Sequence, residues 1–143
     1  MLLAAFVLYL TLLVATMVYA LRKGGETERL GAITLLIAII LSELASNLGP
    51  RSFQGSGGPA TDIDMMVIDL GLFIAFVIIA YRSTKFWPIW AAASQLVAVL
   101  THWVFILDPS VVRTAYATAQ PFWVFPMLGA IAIGTRTHQR SLQ

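Results

Sequence analysis

Charged residues in this chain come in short clusters, and between the clusters run apolar stretches of about twenty residues. At 1.5 Å of rise per helical residue, such a stretch reaches across the roughly 30 Å hydrocarbon core of a bilayer. Backbone N–H and C=O groups find no water there, so each stretch must satisfy them within itself, as a helix does. Five stretches qualify, over residues 1–21, 30–48, 63–81, 86–107 and 111–135. The expectation is an all-α membrane protein, a bundle of five transmembrane helices.

Composition agrees. Hydrophobic residues make up 59% and charged residues 11% of 143 positions. A soluble domain carries about 45–50% and about 25%. The spans consume nearly the whole length, so residues 1–143 form a single transmembrane helical domain with no room for a soluble one. No cysteine is present, which removes disulfides, thiolate metal sites and thiol catalysis.

Local signals mark the ends of the spans. Val18-Tyr19-Ala20 loosely resembles a signal-peptide cleavage site, but no basic segment precedes the first apolar run, and that run exceeds the usual 7–15 residues or so. A retained first helix is expected. Residues 22–29 read as a charged hairpin turned by Gly24 and Gly25. Residues 49–60 hold four glycines and two prolines and read as an irregular loop. Thr61 and Asp64 have the spacing of a capping box. Ser83 or Thr84 can cap the fourth helix, where Phe86, Trp87 and Trp90 suit an interfacial depth and Pro88 a first turn. Asp108-Pro109 is a helix start, and Pro121 and Pro126 should kink the last span. The segment 136–143 is a polar tail.

Lysine and arginine set the orientation. With the N-terminus outside and the C-terminus inside, Arg22, Lys23, Arg29, Arg82, Lys85, Arg136 and Arg140 lie inside, and only Arg51 and Arg113 lie outside. The positive-inside rule favours this arrangement. The net charge of +2 therefore reports topology, not a nucleic-acid partner, and the expected location is the inner (plasma) membrane, multi-pass.

Orientation then fixes depth. Glu43 lies five residues below the outer end of the second span, Asp69 six residues into the third, and His102 five residues from the end of the fourth. Each is roughly 7–9 Å down. Within residues 91–105, Ala91, Ser94, Gln95, Ala98, Thr101 and His102 share one face at spacings of three and four, a stripe that wants a protein partner rather than lipid. Asn47 and Tyr116 are nearby in depth, with Arg113 above. Glu43, Asp69, His102, Gln95, Asn47 and Arg113 are thus the candidate ligand- or ion-binding residues, gathered in an outer polar layer over an inner half nearly free of ionisable groups.

Two readings of the layer compete. Polar contacts between membrane helices contribute about 0.6–2 kcal/mol each and can simply hold a bundle together. Ionisable residues inside a membrane also mark ion, proton or ligand sites. One intramembrane histidine with two carboxylates is a minimal metal set, so no metal is expected. No cofactor is expected either, although contact with a lipid, a pigment or a quinone stays open. Asp62 with Asp64 is explained by capping. The glycines at 55, 57 and 58 lack the strand–helix context and lysine of a phosphate loop. Ala130 and Gly134 form a small-xxx-small pair suited to close helix contact.

No G-x-S-x-G or H-E-x-x-H is present, and neighbouring Thr101 and His102 do not face each other on a helix. Catalysis is not expected. The leading expectation is a small accessory, assembly or structural subunit of a larger membrane complex, whose partners are the bilayer and other membrane subunits or itself. The alternative is a small transporter or ligand-binding protein with an outward-facing polar pocket. A hydrolase or transferase working at the outer leaflet is the third form.

Overall fold

The computed structural model describes residues 2–48, 59–107 and 120–143, with side chains at 7–45, 63–103 and 122–143. Among the described residues the chain is all-helical. The helices are α1 (Leu2–Lys23), α2 (Glu26–Leu48), α3 (Pro59–Arg82), α4 (Trp87–Leu107) and α5 (Val124–Ser141), with a 3-10 turn at Gln120–Trp123 before α5.

Helix boundaries follow local chemistry, and several differ from the sequence expectations. Only Gly24 and Gly25 separate α1 from α2. The Gly24 N–H still bonds to the Ala20 carbonyl (2.9 Å), and the Arg29 N–H opens α2 on the Gly25 carbonyl (3.0 Å). The expected charged hairpin is therefore mostly helix. α3 starts at Pro59, whose fixed φ suits a first turn, so Thr61 lies within the helix rather than capping it. α4 starts at Trp87, later than a Ser83 or Thr84 cap would allow. Ser83 Oγ instead accepts the Lys85 N–H at 3.0 Å, which holds the connecting turn.

Of the last expected span, residues 111–119 lie outside the described residues, and the rest is a 3-10 turn followed by α5. Pro121 falls in the 3-10 turn and Pro126 in the first turn of α5, where a missing N–H costs no helical bond. The polar tail is helical to Ser141, and the Gln139 side-chain amide donates to the Lys23 carbonyl at the end of α1. Asp108-Pro109 and residues 49–58 lie outside the described residues.

The helices form a closed ring. α3 packs on α4, α4 on α5, α5 on α1 and α2 on α3, with α2 also touching α1 and α5. Phe76, Trp87, Met127 and Ile131 fill the middle, and Ala20, Ala32 and Ala91 let the backbones approach. The C-termini of α1, α3 and α5 lie with the N-termini of α2 and α4, and the lysines and arginines of these helices and their turns gather there, so the bundle has a basic end and a far end.

Candidate functional site

Two polar clusters lie inside the bundle, one towards each end. The far one centres on Asp69 of α3. Its Oδ2 accepts from His102 Nε2–H at 2.8 Å, and its Oδ1 accepts from Gln95 Nε2–H at 2.9 Å. Gln95 also donates to the Asp69 carbonyl at 3.3 Å. His102 and Gln95 are buried, while Asp69 keeps 23% side-chain exposure. The stripe on α4 explains this: Ala91, Gln95, Ala98 and His102 face inward at spacings of four, three and four. Ser94 and Thr101 instead turn their hydroxyls to Trp90 and Val97 carbonyls of their own helix.

Three of the six candidate residues thus meet. Glu43 is exposed on α2, where it interacts electrostatically with Tyr9 of α1, outside the Asp69 hydrogen-bonded set. Arg113 and the side chain of Asn47 lie outside the described residues, as does Tyr116. An aspartate and a histidine in contact are two parts of a hydrolytic triad, but the Ser94 and Thr101 hydroxyls are committed to their own backbone. No group of three or more metal-ligating side chains occurs among the described residues.

The basic-end cluster is what sequence reasoning missed. Glu28 is 0% exposed although it falls among the charges expected to form a solvated hairpin. With Gly25 as N-cap of α2, Glu28 is the third helical residue, and its Oε2 reaches back to the Gly25 N–H at 3.1 Å. This is the acidic half of a capping box. Lys85 Nζ donates to both carboxylate oxygens, at 2.8 and 2.7 Å, and Trp87 Nε1–H donates to Oε1 at 2.8 Å. Burial alone would raise the Glu28 carboxyl. The hydrogen bonds from Lys85, the backbone and Trp87, with the Lys85 charge, outweigh it and hold the group below its usual 4.5.

Trp87 is a packing tryptophan, buried inside the bundle. Its ring sits between two glycines from different helices. A Cβ added to Gly31 would fall 2.4 Å from its Cη2, and one added to Gly134 would fall 2.3 Å from its Cδ1. Phe76 meets the ring edge-on at 6.3 Å between centroids. Indole burial needs a partner for Nε1–H, and Glu28 is that partner. The expectation of a solvated hairpin is corrected here for Glu28, because the residue is enclosed in an ion pair at the basic end. Two signals pointed to it: the Gly25-x-x-Glu28 spacing and the Ala130-x-x-x-Gly134 pair, whose glycine admits an indole ring rather than a helix backbone.

His138 of α5 completes this end. Its Nδ1 stands 3.5 Å from Lys85 Nζ, a long contact in which the neutral ring nitrogen is the acceptor. Beside it a groove of about 690 Å³ opens between the start of α4 and α5.

No protein-family model, curated protein or solved structure matches this chain.

Proposed function

We propose that the chain is an integral membrane protein of five spans, basic end inside, that works without catalysis as an accessory or assembly subunit of a larger inner-membrane complex. The observation that carries this reading is the outer surface of the bundle. Large apolar side chains such as Val14, Ile37, Ile40, Val67, Ile78 and Leu100 are exposed along α1 to α4. Contiguous apolar patches beyond a few hundred Å² are rare on soluble monomers.

Among the described residues, one segment is long and apolar enough to cross a membrane, 63–82 in α3, with mean hydropathy 2.5. Only 11% of its apolar window is buried inside the bundle, whereas the core helix of a soluble protein would be mostly covered. α1, α2 and α4 have 22, 23 and 21 residues, about 31–35 Å each, which also suits a span. Among the described residues no catalytic set accompanies either cluster, and the apolar outer surface favours a role exerted through surface contact.

Because the chain has no cysteine, single cysteines report topology cleanly. Thr27→Cys should be shielded from an impermeant maleimide in intact cells, and Ser56→Cys should react. Carbonate should leave the protein in the membrane, and mild detergent should yield it in stoichiometric association with the same membrane protein from either partner's tag. Release by carbonate would defeat the membrane reading. A clean monomer from native membranes would defeat the subunit reading.

The partial exposure of Asp69 favours a second reading, a cation- or proton-binding pocket open to the far side. Asp69→Asn should then abolish binding or flux while the protein stays folded.

A further inference from the structure

We propose that the groove between α4 and α5 holds an anionic phospholipid of the inner leaflet, with its headgroup at Lys85 and His138 and an acyl chain laid along α5 toward Pro126. The inference rests on the membrane reading above. The groove is amphipathic along its length. At the basic end its rim carries Lys85, His138 and Thr84 and no acidic side chain. Further along, Gly129, Ala130 and Gly134 form a floor without bulk, and Phe86, Trp90 and Ile133 are the apolar walls. Those three wall residues are 69%, 62% and 65% exposed, which is costly in water and natural against lipid.

Length and charge select the occupant. Lining residues on α5 run from Pro126 to Ser141, about 22 Å of helix, enough for a headgroup and one acyl chain within a leaflet roughly 15 Å deep. Charge complementarity points to an anion. The basic end carries Arg22, Lys23, Arg29, Arg82, Lys85, Arg136 and Arg140 against Glu26 and Glu28. Inner-leaflet anionic lipids are drawn to such clusters.

Donor geometry agrees. An ammonium has three N–H groups, and Lys85 directs two contacts to Glu28. Beyond those it has only the long approach to His138, and its side chain is 32% exposed. A phosphate oxygen would be a better acceptor for the third N–H. With Nδ1 as the acceptor, the His138 ring carries its proton on Nε2, a further donor at the rim. The Glu28 carboxylate beneath is saturated by Gly25, Lys85 and Trp87, so it does not compete as an acceptor.

Native mass spectrometry of the full chain in detergent, with dioleoylphosphatidylglycerol or dioleoylphosphatidylcholine added, tests this. One phosphatidylglycerol should stay bound per chain, with about tenfold preference over phosphatidylcholine. Gly129→Phe fills the groove from a position where an added Cβ meets nothing within 4 Å, so the variant should fold and lose that lipid. His138→Gln should cut the preference for phosphatidylglycerol and spare any phosphatidylcholine binding. Equal retention of the two lipids would overturn the inference. So would undiminished binding by Gly129→Phe, displacement of the lipid by millimolar inorganic phosphate, or a dimer that Gly129→Phe dissolves. Carbonate extraction keeps the two readings apart, because an inserted protein indifferent to phosphatidylglycerol defeats only the lipid site.

Discussion

The two polar clusters use the same kinds of atoms to different ends. At the far end, Asp69 takes one hydrogen bond on each carboxylate oxygen from side chains of a single helix, α4, and stays partly open. At the basic end, Glu28 is fully enclosed and draws together α2, α4 and the turn before α4, with a full cation as partner. The first is a contact between two helices that could be lost singly. The second is a junction. Removing one member of a buried ion pair leaves the other charge uncompensated, which costs far more than losing a neutral contact.

Substitutions can break that contrast in order of size. Glu28→Ala should cost the most, about 3–5 kcal/mol, because Lys85 and the Trp87 indole both lose their acceptor. Thermal unfolding in mild detergent measures it, and a loss under 1 kcal/mol would dissolve the distinction between the clusters. Acid should reach the same junction reversibly. A carboxylate held below its usual 4.5 contributes fully above that value and stops contributing as the pH falls through its depressed native value. The midpoint should therefore show no Glu28-linked change between pH 8 and 5 and should drop below about pH 4, with Glu28→Gln removing that part of the acid limb.

Gly134→Ala comes next, at about 1–3 kcal/mol, because its methyl group would lie 2.3 Å from a rigid ring rather than a flexible chain end. Trp87 fluorescence should shift with it, since the indole must move. Asp69→Asn should be the mildest, about 1 kcal/mol, because the amide keeps one acceptor for His102 or Gln95. A larger penalty than that of Gly134→Ala would mean that the far cluster is the true anchor.

The far cluster was legible in the sequence because both its members and its geometry obey helical period and depth. Asp69 and His102 sit at matched distances from the ends of their spans, and Gln95 lies on the stripe with His102. Glu43 matched in depth but not in azimuth, and depth counting is blind to which way a helix face turns. Glu28 was hidden by its neighbours. Surrounded by Arg22, Lys23, Glu26 and Arg29, it looked like one more solvated charge, and only three-dimensional packing singles out the residue that points inward. The packing role of Trp87 was hidden for a related reason. An aromatic beside a proline at a span start fits the interface equally well, until glycines from two other helices open a slot for it.

That slot has a consequence for how the protein is made. Gly31, Trp87 and Gly134 are separated by more than a hundred positions along the chain, and a ribosome delivers them in that order. When α4 emerges, its indole can already lean on Gly31 and reach Glu28, but the wall supplied by Gly134 belongs to α5, which is made later. A nascent chain arrested before α5 would hold a tryptophan with one side bare. Arrival of α5, not the meeting of the charges, is the event that closes the slot around the ring.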